Sequence, residues 1–204
     1  MPPRIKFCGF TRPEDVSLAV GLGVDAIGLN LAHGPRRITV EQAADLARLV
    51  PPFVTTVALF VDADEEAILE VMYQTRCQVA QLHGNEPAEL CERLRARFPV
   101  IKSFAVADRA GLERLRGFPA DAYLLDTAVP GCHGGTGQAW DHGLLAGVEL
   151  GRPFILAGGL TPATAAAAAR LAPWAVDVAS GIESSPGVKD ADKMAAFIAA
   201  CRGG

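Results

Sequence analysis

Short apolar runs alternate with longer stretches of helical periodicity from one end of the chain to the other. The short runs are RIKFC (4–8), VDAIGLN (24–30), VTTVALFV (54–61), QVAQLH (78–83), VIKSFAV (100–106), DAYLLDT (121–127), PFILAG (153–158) and AVDVAS (175–180). These short β-type runs predict strands. Between them lie TRPEDVSLAVGLG (11–23), TVEQAADLARLV (39–50), DEEAILEVMYQT (64–75), EPAELCERLRARF (86–98), AGLERLRG (110–117), WDHGLLAGVEL (140–150), TPATAAAAARLA (161–172) and KDADKMAAFIAACR (189–202), whose patterns predict helices. The pattern therefore predicts eight strands and eight helices in strict alternation.

Several helices carry start signals. Thr11 with Glu14 and Thr39 with Gln42 have capping-box spacing, and Thr161 precedes a proline that has no amide to lose. Alternating β and α units imply parallel strands joined by right-handed crossovers. An open doubly wound sheet and a closed barrel both satisfy this. Eight repeats favour a single (β/α)8 TIM barrel over residues 1–204, and no GxGxxG follows the first strand to support dinucleotide binding.

Length and composition agree with that picture. At 204 residues, with half of them apolar and 21% charged, the chain is expected to fold around one core. A net charge of −4 argues against nucleic acid or an anionic membrane as partner, though not against a small phosphate ligand. Five cysteines, an odd number without a CxxC, predict free thiols in a reducing compartment. The N-terminus lacks the apolar core of a signal peptide and no run is long enough to span a membrane, so a soluble cytoplasmic protein is expected.

In such a barrel, chemistry sits where strands end at their C-terminal side. The residues there are Cys8-Gly9, Asn30, Asp62, His83-Gly84, Asp126-Thr127, Gly158-Gly159 and Ser180-Gly181. Cys8 and Asp126 would face each other across the opening, able to remove a proton on one side of a substrate and supply one on the other. A buried cysteine is often only a small hydrophobe, and an aspartate ending a strand is often only a turn former. Lys6 is either a solvated strand start or an interior cation favouring the Cys8 thiolate. Cys77, Cys91 and Cys201 fall in helical patterns and read as structural. The loops LAGGLTP and DVASGIES offer unobstructed backbone amides after strands seven and eight, the common phosphate site of this fold, with residues 181–185 expected to supply a short extra helix. GCHGGTGQAW (131–140) reads as a loop over the mouth or an inert connector.

Taken together, KFCGFTRPEDV, GPRRIT, QLHGNE, LLDT, GGTGQAWDH, ILAGGLTP and VDVASGIESSPGVKD resemble the phosphoribosylanthranilate isomerase family of tryptophan biosynthesis over nearly the whole chain. The resemblance implies an Amadori rearrangement of N-(5-phospho-β-D-ribosyl)anthranilate to 1-(2-carboxyphenylamino)-1-deoxyribulose 5-phosphate, without cofactor or metal. It implies Asp126 as general acid, Cys8 as general base, Arg36 as partner of the anthranilate carboxylate, and Gly159, Ser180 and Gly181 as phosphate donors. Gly9 would leave room for the ligand beside the thiol. A base working near neutrality would have the Cys8 thiol shifted modestly down. The family usually reads SPR where this chain reads HGPRR, which leaves Arg37 a rival to the preferred Arg36. His83 is expected to make a structural hydrogen bond.

The rivals are another sugar-phosphate barrel, such as a pentose-phosphate epimerase or an indole-glycerol-phosphate synthase, and a non-catalytic phosphate-binding barrel. The expected partner is a small phosphorylated molecule, for a chain acting as monomer or homodimer.

Overall fold

A computed structural model describes residues 1–127, 142–145 and 147–203. Eight parallel strands close on themselves: β1 (Arg4–Cys8), β2 (Ala26–Asn30), β3 (Thr55–Phe60), β4 (Val79–Leu82), β5 (Val100–Val106), β6 (Ala122–Thr127), β7 (Phe154–Leu156) and β8 (Ala175–Val178). β1 pairs with β2 on one side and with β8 on the other, which leaves no free edge. Helices α1 (Pro13–Gly21), α2 (Val40–Arg48), α3 (Glu65–Thr75), α4 (Ala88–Arg95), α5 (Arg109–Arg114), α6 (Pro162–Arg170) and α7 (Ala191–Arg202) occupy the intervals between strands and after β8. Among the described residues, no helix is long and apolar enough to cross a membrane.

The two faces of the strands build two separate cores. Ile5, Phe7, Ile27, Leu29, Tyr123 and Val176 look outward into a large apolar shell beneath the helices. Leu124, Ile155, Ala157 and Ala175 form a smaller cluster, with Ile101 and Ala122 against it. These six occupy the alternate strand positions, so the smaller cluster fills the bore. By the same alternation Lys6, Cys8, Gln81, Ser103, Asp126 and Asp177 belong to the bore, and all six are buried.

Local chemistry departs from expectation in three places. Thr39 and Gln42 do form the capping box of α2. Thr11 does not cap α1: its hydroxyl donates to the Gly187 carbonyl at 2.6 Å, and the helix starts at Pro13 after an uncapped Arg12. The helix expected over 140–150 is, among the described residues, a single 3-10 turn at His142–Leu145, in a stretch where Gly143 and Gly147 weaken helix propensity. Residues 181–185 are not a helix either. A 3-10 turn at Ser180–Ile182 leads into a small antiparallel hairpin, β9 (Glu183–Ser185) and β10 (Val188–Lys189), which turns through the Pro-Gly pair. The loop at 131–140, with Cys132, lies outside the described residues.

Candidate active site

At the C-terminal end of the bore lies a cavity of about 370 Å³ lined by Cys8, Arg36, His83, Asp126, Gly159 and Ser180 among others. Five of the six residues singled out for chemistry from the sequence therefore share one space. The sixth, Gly181, stands just behind the wall: a Cβ there would come within 1.9 Å of the Leu160 carbonyl oxygen, so glycine lets the two rim loops seat on each other. Gly158 and Gly159 both take positive φ, 88° and 64°, which keeps that rim bare of side chains.

Cys8 ends β1 directly opposite Gly28 in the β1–β2 register. A Cβ on Gly28 would fall 2.7 Å from the Cys8 sulfur and 3.1 Å from Lys6 Nζ, so the missing side chain is the space these two groups occupy. Lys6 is an interior cation, paired with Asp177 Oδ1 of β8 at 2.9 Å. Burial alone would lower the Lys6 ammonium, but Asp177 and Cys8 more than offset it and hold it above its ordinary value. For Cys8 burial wins. It raises the thiol, and Asp177 adds to the rise, against the opposing pull of Lys6 and Lys189. The modest downward shift expected from the sequence is thus reversed, because burial outweighs the cations beside the sulfur and Asp177 adds to the rise.

Asp126 reaches the bore from β6, and His83 Nε2 stands 3.5 Å from its Oδ2. On the other edge of the ring, Nδ1 meets Ser103 Oγ at 2.8 Å and Gln81 Nε2 at 2.9 Å. The ring is thus held by Gln81 and Ser103 at Nδ1, with Nε2 turned toward the carboxylate. The structural hydrogen bond expected of His83 is present, on Gln81 and Ser103, and the other edge of the ring faces Asp126.

Arg36 comes from the segment between β2 and α2, and its stem passes over Gly9. A Cβ at Gly9, whose φ is 79°, would fall 2.4 Å from Arg36 Cδ. The room left after the thiol is therefore room for this arginine rather than for a ligand. Its Nε and Nη2 donate to the two oxygens of Glu183, at 2.8 and 2.6 Å. Arg37 is exposed, and its backbone bridges to Asn30. The cavity wall thus takes Arg36 and leaves out its neighbour.

Comparison with known proteins supplies the deciding observation. Residues 5–200 match the family described as N-(5'-phosphoribosyl)anthranilate (PRA) isomerase. The chain belongs to this family. It is similar to the N-(5'-phosphoribosyl)anthranilate isomerase of Pseudomonas paraeruginosa, 45% identical over 203 residues, with 98% of this chain and 95% of the relative covered. It superposes on the crystal structure of phosphoribosyl anthranilate isomerase from Thermus thermophilus with a TM-score of 0.90 at 42% identity, covering 98% of both chains. A second phosphoribosyl anthranilate isomerase structure holds reduced 1-(o-carboxyphenylamino)-1-deoxyribulose 5-phosphate; it matches at a TM-score of 0.86 and 36% identity, over 98% of this chain and 99% of that one.

Within this phosphoribosylanthranilate isomerase fold, three charged residues escaped the sequence reading: Asp177, Glu183 and Lys189. Asp177 had a visible signal, a carboxylate at an inward position of an otherwise apolar strand. Glu183 and Lys189 had none, because the contacts that tie them to the site, to Arg36 and to the Cys8 carbonyl, span most of the chain.

Proposed function

We propose that Cys8 and Asp126 carry the two proton transfers of the isomerisation of N-(5'-phosphoribosyl)anthranilate, in tryptophan biosynthesis, which is the activity of the family to which the chain belongs. One observation supports the assignment above the others: a thiol and a carboxylate, from β1 and β6, line a single cavity whose rim carries an arginine, the bare Gly158-Gly159 loop and Ser180.

The chemistry follows from that placement. Asp126 protonates the furanose ring oxygen as the C1′–O4′ bond breaks, and the anthranilate nitrogen supplies the electron pair that forms the Schiff base. The Cys8 thiolate then takes the proton from C2′, and the resulting enolamine tautomerises to the amino-ketose. No atom is lost or gained. Each positioned proton transfer is worth roughly 10²–10⁴-fold. The active ionisation state is the thiolate, which becomes more populated as pH rises, and burial moves that rise to higher pH than for an ordinary thiol. Arg36 pairs with the anthranilate carboxylate. Gly159 and Ser180 at the cavity rim, with Gly181 behind them, offer amides to the phosphate. A phosphorylated sugar carrying an aromatic carboxylate would span these two anchors with its C1′ and C2′ over Cys8.

The experiment is a fluorescence assay following loss of phosphoribosylanthranilate, generated in situ, with the purified chain. Rapid loss that depends on the amount of protein supports the reading, and tight binding without turnover supports a non-catalytic barrel instead. Arg36→Ala should raise KM with kcat nearly retained. If Arg37→Ala produced that effect and Arg36→Ala did not, the carboxylate partner would be reassigned.

A further inference from the structure

We infer that Glu183 and Lys189 are positioning residues for Arg36, fixing which edge of its guanidinium meets the carboxylate of the substrate. The inference rests on the reading of Arg36 just given, and goes beyond it to a residue pair on the small β9–β10 hairpin.

The geometry is that of a clamp. The Glu183 carboxylate binds Arg36 side-on, Oε1 to Nε at 2.8 Å and Oε2 to Nη2 at 2.6 Å. A guanidinium has five hydrogens in a fixed planar fork, so engaging the Nε edge leaves the Nη1–Nη2 edge for a second planar anion. Glu183 is held in turn by Lys189, whose Nζ lies 2.8 Å from Oε1, 2.6 Å from the Cys8 carbonyl and 3.3 Å from the Ala179 carbonyl. Three acceptors around one nitrogen suit the ammonium, which has three hydrogens to give, whereas the neutral amine has two. One buried cation thereby ties together the strand end bearing the thiol, the loop after β8 and the carboxylate that aims Arg36.

Charge and burial point the same way. Two cations around one carboxylate leave this cluster with an uncompensated positive charge, and Arg36 is its member that lines the cavity, where an anionic ring substituent can meet it. The Glu183 and Lys189 side chains are almost wholly buried, and that of Arg36 is 15% exposed. An arginine held this way has already lost its rotamer freedom before the ligand arrives, so that cost does not weaken binding. Gly9 completes the arrangement by leaving its Cβ space to the arginine stem.

Calorimetric titration of the full chain tests the inference with two ligands: reduced 1-(o-carboxyphenylamino)-1-deoxyribulose 5-phosphate and its counterpart lacking the ring carboxylate. A charge-assisted contact predicts that the wild type prefers the carboxylated ligand by about tenfold or more. Glu183→Gln should cut that preference to about threefold or less while leaving the affinity for the des-carboxy ligand within about twofold, and in turnover it should raise KM much more than it lowers kcat. A preference unchanged in Glu183→Gln, or a loss confined to kcat, would overturn the inference. If Glu183→Gln fails to fold, Glu183→Asp keeps the charge but retracts it by one methylene. There a preference reduced at least about threefold supports the clamp, and an unchanged one overturns it. Arg36→Ala separates this idea from its foundation: a preference that survives without the arginine refutes Arg36 as the carboxylate partner, whatever Glu183 does.

Discussion

On β1, Ile5 and Phe7 look outward into the shell beneath the helices, while Lys6 and Cys8 look inward into the bore, and all four are buried. Depth of burial does not separate the two regions; the company each side chain keeps does. Cys201, on α7, shows what the shell does to a thiol. Burial pushes it up to about 11, with only weak opposition from Arg202. Cys8 is also pushed up by burial, but it stands among Lys6, Asp177 and Lys189, where a change in any one charge alters its ionisation. The shell holds the fold together by excluding water. In the bore, the same exclusion makes a few paired charges strong enough to do chemistry.

The contrast can be broken most forcefully at Lys6. Lys6→Met leaves the Asp177 carboxylate buried without its partner, so unfolding in denaturant should show a loss of about 3–5 kcal/mol. Ile5→Val, one residue away on the outer face, should cost only about 0.5–1.5 kcal/mol. Equal costs would mean that the bore and the shell are not distinct environments.

Glycines offer a gentler version. Gly28→Ala drives a methyl group against the Cys8 sulfur, and should cost about 1–3 kcal/mol in a thermal or denaturant melt while lowering kcat. Gly21→Ala, at the end of α1 with nothing within 4 Å of the new methyl, should be neutral or stabilising by up to about 1 kcal/mol.

Two pH effects follow in order of size. The free enzyme's kcat/KM should climb with pH along a limb set by a thiol that titrates above its ordinary value, and alkylation of Cys8 should follow the same curve. In Lys6→Met the curve should move further alkaline, since Lys6 opposes the rise. A limb unaffected by Lys6→Met would remove the lysine from the account. The stability effect is smaller. Burial alone would raise the Glu183 carboxyl, yet Arg36 and Lys189 hold it below its ordinary value. A group depressed on folding contributes stability that is complete above the unfolded glutamate value, about 4.3, and is lost as pH falls through the lower folded one. Acid titration of the unfolding free energy should therefore flatten in Glu183→Gln.

Smallest of all is the expected effect of Cys91→Ala on turnover. Burial pushes this thiol, in the shell, up to about 11. Its loss should leave kcat within about twofold while costing some stability through a small cavity.

The strands were legible because a strand buried on both faces must be apolar almost throughout, and all eight runs became barrel strands. Cys8 and Asp126 were legible from position, since the end of a barrel strand opens on the cavity. The β9–β10 hairpin was missed although Pro186-Gly187 marked a turn, because the fold commonly places a short helix there. Arg36 was found but its mooring was not. Glu183 lies 147 residues further along, and pairings of that range leave no periodicity to read. Nor could charge patterning alone show that burial outweighs Lys6 at the Cys8 thiol. Asp177, within hydrogen-bond reach of the Lys6 ammonium, adds to the rise that burial causes.

The central claim is that a thiol and a carboxylate across one cavity share the work of moving protons. The most direct measurement is kcat for Cys8→Ala and Asp126→Asn, taken together with the affinity of each variant for the reduced product analogue. The account predicts that each loses at least about 10²-fold in kcat while still binding the analogue. Turnover near the wild-type rate in either variant would contradict it.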